Sequence, residues 1–159
     1  MSTTELAPPT IHRGEAELPW VDIGDGSTIQ LIRVDLATGV WVVRTRFAPG
    51  STVQTHKHTG HVDAFTQSGS WHYLESPEAV NTAGSYLYEP AGSTHTLHCP
   101  ASNTEPTDVW FTIYGANLNL DADGNVEVVI DAHTILALYR AFCEQQHGIS
   151  DPPVIVIQS

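Results

Sequence analysis

The chain has 159 residues, 41% of them hydrophobic and only 15% charged, which fits one folded domain with a real core and excludes a disordered polymer. Eighteen acidic residues against six basic ones give a formal charge of −12, a field that repels nucleic-acid phosphates and anionic lipid, so neither is expected as a partner. No apolar run approaches bilayer length, two cysteines make no disulfide framework, and the N-terminus lacks a basic segment followed by an apolar stretch, so the expected setting is a reducing cytoplasm.

Residues 1–19 read as a polar arm marked by Pro8, Pro9 and Pro19, with the apolar signal beginning at Trp20, Val21 and Ile23. Strand-like runs follow at Thr28–Leu36, Val40–Phe47, Thr52–His58, Val62–Gln67, Ser70–Glu75, Ser85–Glu89, Ser93–His98 and Asp108–Tyr114. They are rich in β-branched and aromatic residues and are separated by turns such as Ala48-Pro-Gly, Ser68-Gly and Pro90-Ala-Gly. A late hairpin pairs Asn117–Leu120 with Val126–Ile130 across Asp121-Ala-Asp-Gly124. One helix is expected, capped by Asp131, striped by Ile135, Leu138, Tyr139, Phe142 and Cys143, and stopped by Gly148. The tail, residues 149–159, is extended and apolar and predicts either an added edge strand or a subunit contact. Many short strands and one late helix predict an all-β sandwich or barrel spanning residues 20–148.

The chemistry-bearing pattern is Gly50-x5-His56-x-His58 followed by Gly84-x5-Pro90-x-Gly92-x2-His95. Alternate residues of a strand share a face, so His56 and His58 are expected to point into one interior while Lys57, the only lysine, points away. Chance alone gives roughly half an occurrence of His-x-His in a chain with nine histidines, so the motif carries weight only through its fixed partners. Three converging imidazoles would hold a first-row divalent metal with coordination positions left free, although iron, zinc, copper and nickel all suit such ligands. Cys99 follows close enough to line such a site or to serve as a small buried residue. His72 and His98 read as structural, and His61 lies in a loop near the expected pocket mouth.

These two motifs, extended by Asp63 and Gly69, resemble the paired signatures of the cupin superfamily. The segments HKHTGHVDAFTQSGSWHYLE and AGSYLYEPAGSTHTL are similar to 2,4'-dihydroxyacetophenone dioxygenases and acetylacetone-cleaving dioxygenases. The resemblance implies an all-β, cupin-type β-barrel (a double-sheet jelly roll) with one C-terminal helix. It also implies a mononuclear non-heme Fe(II), with Zn, Mn or Ni as alternatives, held by His56, His58 and His95. The reaction it implies cleaves a C–C bond next to a carbonyl, with a 1,3-diketone or aryl hydroxymethyl ketone and O2 as small-molecule partners. The implied assembly is a homodimer or homotetramer.

Asp63 stands where many cupins place a glutamate ligand. Its carboxylate is one methylene shorter, which leaves two roles open: direct coordination, or accepting a hydrogen bond from a ligand imidazole. Glu89, six residues before His95, occupies the position of an acidic site residue in the relatives and is the candidate general base, with Glu75 a weaker one. Two competing functions share the same fold. One is another metal-dependent cupin enzyme, an isomerase or a dioxygenase of a different substrate. The other is a non-catalytic cupin that binds a metal or ligand to regulate a partner.

Overall fold

The computed structural model describes residues 7–158. In chain order the strands are β1 (Val21–Asp22), β2 (Ser27–Asp35), β3 (Val40–Phe47), β4 (His56–His58), β5 (Val62–Ser68), β6 (Ser70–Tyr73) and β7 (Ser76–Thr82). They continue as β8 (Tyr86–Glu89), β9 (Thr94–His95), β10 (Leu97–His98), β11 (Thr107–Tyr114), β12 (Asn117–Leu120), β13 (Val126–Ile130) and β14 (Ile155–Ile157). Among the described residues there is one α-helix, α1, spanning Ala132–His147.

The largest sheet runs β1-β2-β3-β11-β5-β8, with β14 parallel to β2, while β10-β6-β7 and β13-β12-β4-β9 form two smaller sheets. This is a jelly-roll arrangement, but hydrogen bonds do not close it into the continuous cylinder expected: three separate sheets enclose the interior.

Cross-strand rows show which side chains face inward. Trp41, Ile113, Val62 and Glu89 lie side by side across β3, β11, β5 and β8, and all four are buried. One residue along, Val42, Thr112, Asp63 and Tyr88 form the next row, which faces out, as strand alternation requires. The interior divides into two apolar clusters. One packs α1 residues Ile135, Leu136, Tyr139 and Cys143 against Leu31, Val34, Trp41 and Ile113. The other gathers Phe47, Trp71, Tyr73, Leu97, Cys99 and Val109 beneath the β10-β6-β7 sheet, which makes Cys99 a packing residue.

The helix ends as its sequence dictates. The Asp131 side chain accepts from the Thr134 amide at 2.8 Å, and Gly148 takes the left-handed φ of 69° while its amide bonds the last carbonyls. The stripe differs by one position, with Leu136 buried and Leu138 38% exposed, so Leu138 looks toward the cavity described below.

Several expected boundaries shift. Only His56–His58 of the Thr52–His58 run forms a strand, with Thr52 making a single bridge to His98. The Ser93–His98 run splits into β9 and β10, which join different sheets, and β7 lies where no strand was expected. The described part of the N-terminal arm is pinned to the large sheet. Glu15 accepts from Arg44 and Arg46, Arg44 makes a two-pronged contact with buried Asp108, and the Arg46 guanidinium stacks 3.9 Å from the Trp20 ring. Residues 1–6 lie outside the described region. Among the described residues, no helix is long and apolar enough to cross a membrane.

Candidate metal centre

Three local features bring the histidines together. Alternation on β4 buries His56 and His58 and exposes Lys57 between them. Antiparallel pairing sets His56 directly opposite His95 on β9. The turn Pro90–Ser93, with the Ser93 amide bonded to the Pro90 carbonyl and Gly92 at φ +84°, needs a glycine at its third residue. That turn also clamps β4, because the Gly92 amide donates to the His58 carbonyl at 2.8 Å and the His58 amide donates to Ser93 at 3.0 Å.

The outcome is a cluster of three imidazoles whose candidate ligand nitrogens all lie within 4.8 Å of one another. Glu89 joins them from β8, its Oε2 lying 3.1 Å from Nε2 of His58 and 3.6 Å from Nε2 of His95. The Tyr73 hydroxyl donates to the other carboxylate oxygen, and the Tyr73 ring stacks on His95 at 3.8 Å. Tyr73 was not singled out from the sequence. The inward row of Trp71 and Tyr73 on β6 was its only signal.

The pattern of unmet polar atoms tests whether a cation fits. Nε2 of His58, Nε2 of His95 and Oε2 of Glu89 are all buried without a hydrogen-bond partner, although they crowd one small space. A lone pair on Nε2 of His58 facing Oε2 of Glu89 at 3.1 Å is repelled unless a proton or a cation lies between them. Nδ1 of His56 is 3.0 Å from the Gln54 carbonyl, so that nitrogen carries the proton and Nε2 is left as a donor to a metal. Burial lowers the pKa of His56 and brings that of His95 down to about 4, which keeps both rings neutral, as ligation requires. Burial also pushes the Glu89 carboxyl up, but the nearby His58 ring, the Tyr73 hydroxyl and the His95 ring outweigh it, and the carboxyl is held below its usual value. The residues present fit a divalent metal.

Asp63 does not join this group. It lies on the outward row between buried Val62 and Ala64, opposite Tyr88, and accepts a hydrogen bond from the Tyr86 hydroxyl. Strand parity, rather than the missing methylene, keeps it from the imidazoles. Glu75 instead accepts from the amide and hydroxyl of Thr96. His61 stacks on Tyr114 at 3.9 Å, and His72 and His98 face each other across β6 and β10.

A cavity of about 420 Å³ opens beside His56, His58 and Glu89. Its walls are mainly apolar, with Val43, Phe47, Phe111 and Ile113 from the large sheet and Leu138 and Phe142 from α1. Asn117 and Asn119 supply polar groups from β12. A buried cluster of imidazoles beside an apolar chamber has the form of a small-molecule site.

A jelly roll that turns three strand-borne imidazoles into its interior is a cupin. Residues 10–116 match the model of the ChrR Cupin-like domain family, and the chain belongs to that family. A crystallised protein of unknown function with a cupin-like fold from Ralstonia eutropha is 39% identical, with 84% of this chain and 82% of that one covered and a TM-score of 0.76. An RmlC-like cupin protein from the same organism is 26% identical over 91% and 92% of the two chains, with a TM-score of 0.83. An acetylacetone dioxygenase from Acinetobacter johnsonii shares the fold at 18% identity, covering 89% and 97%, with a TM-score of 0.73. No curated protein sequence matches the chain.

Proposed function

We propose that this cupin is a mononuclear non-heme Fe(II) dioxygenase that uses O2 to break a C–C bond beside a carbonyl, in a 1,3-diketone or an aryl hydroxymethyl ketone. The observation that carries the reading is the set of unmet acceptors on His58, His95 and Glu89, gathered with His56 beside an apolar chamber that His56, His58 and Glu89 line. An iron bound there would supply O2 activation and an anchor for two substrate oxygens.

The protein's own residues do the rest. His56, His58 and His95 are the ligands, and being neutral they leave the site with net positive charge that favours an enolate over a neutral ketone. Glu89 is the general base: Oε2 takes the acidic proton from the carbon next to the carbonyl, while the Tyr73 hydroxyl holds Oε1 and fixes the carboxylate's aim. Phe47, Phe111 and Ile113 hold the substrate's apolar body and keep water away from the enolate. The shared fold of the acetylacetone dioxygenase supports this reading.

The test is to strip the protein of metal, reload it with Fe(II) without air, and follow oxygen uptake with a panel of diketones and hydroxyacetophenones. Uptake is expected with at least one of them, and Glu89→Gln should cut kcat by about 100-fold or more with metal content unchanged. A regulatory cupin that holds a metal without turnover is the second reading, favoured by the match to a ChrR-type domain. Tight zinc retention without oxygen uptake on any panel member would select it.

A further inference from the structure

We propose that Asn117 is the positioning residue that holds His58 in its ligating tautomer, an assignment that rests on the metal-centre reading above. Among the described residues, His58 is the one imidazole with both ring nitrogens buried and unpartnered. His56 differs, because the Gln54 carbonyl already takes its Nδ1 proton. A neutral imidazole that ligates through Nε2 carries its proton on Nδ1, and a buried N–H without an acceptor is costly.

The missing acceptor stands across the sheet. Asn117 is the direct register partner of His58 in the antiparallel β4–β12 pair, and its Oδ1 is itself buried with no donor. Side chains at such positions have Cβ atoms about 5 Å apart, within reach of an imidazole and an amide. Two unmet groups of opposite sense therefore face each other, one lacking an acceptor and one lacking a donor. The terminal torsion of asparagine is broad, so rotating the amide is the motion that would bring Oδ1 to the ring N–H. The hydrogen bond fixes the ring's tautomer and plane and raises the basicity of Nε2. It also fills the role that Asp63, on the outward row, does not reach.

Asn119 provides an internal control. It also lines the cavity and pairs with a ligand histidine, but that partner is His56, whose Nδ1 is already satisfied. The experiment measures the dissociation constants of Zn(II) and Co(II) for the whole chain by competition with a chromophoric chelator. Asn117→Leu should weaken both metals by about 10–100-fold, Asn117→Asp, which keeps an acceptor, should stay close to wild type, and Asn119→Leu should shift binding by less than about twofold. In the zinc-loaded wild type, nitrogen-edited NMR should show a slowly exchanging proton on Nδ1 of His58, a readout that needs no variant to fold.

Unchanged affinity in a folded Asn117→Leu, an equal loss in Asn119→Leu, or a rapidly exchanging His58 proton would each overturn the assignment. Oxygen uptake plays no part in these measurements, so the dioxygenase reading stands or falls separately. A wild-type chain that takes up no metal would overturn both.

Discussion

His58, Glu89 and Asp63 sit within a short stretch of one another in the jelly roll, and a single step of strand parity separates their fates. Glu89 ends an inward row that begins at Trp41, whereas Asp63 belongs to the neighbouring outward row. The placement predicts that Asp63→Ala keeps full metal content, while His56→Ala loses the metal, both readable by atomic absorption on purified protein. Loss of metal in Asp63→Ala would contradict the outward placement. The sequence allowed this outcome but masked it. Val62 and Ala64 mark the inward face of β5, yet the largest apolar residue on that strand, Phe65, is 49% exposed, so side-chain size points to the wrong face. For Glu89 the turn at Pro90–Gly92 hid the parity with His95, and only its pairing with Val62 reveals that it faces inward.

At the scale of elements, local chemistry that is self-contained was legible and pairing between distant strands was not. The α1 boundaries follow from Asp131 and Gly148, each of which acts on its own backbone neighbourhood. The β7 segment, polar and interrupted by Pro77, carries no apolar alternation that would mark a strand. Its strand character comes from pairing with β6, where only Asn81 is buried. Two substitutions separate the kinds of element contribution. Asp131→Ala removes a cap and should cost about 1 kcal/mol in urea unfolding. Gly69→Ala should cost more, because Gly69 holds φ +83° and an added Cβ would fall 2.5 Å from Cα of Thr107, a backbone atom that cannot swing aside. Equal losses for the two variants would contradict that packing.

For the whole molecule, the same burial that prepares the imidazoles imposes a cost in acid. The folded protein depresses His95 from 6.5 to about 4 and lowers His56 as well, so the unfolded chain binds more protons across that interval. Stability of the metal-free protein is therefore complete above about pH 6.5 and is lost as pH falls toward about 4. Thermal unfolding should show Tm falling by more than about 5 °C over that window, with a shallower fall in His95→Gln. A flat profile, or an unchanged slope in the variant, would show that these rings titrate normally.

Iron-edge X-ray absorption on chain reconstituted with Fe(II) under nitrogen reads the proposed centre most directly. One iron per chain, with the multiple-scattering signature of about three imidazoles that drops in His56→Ala, is the predicted result. Iron bound only through oxygen ligands, or a spectrum indifferent to the loss of His56, would contradict the account.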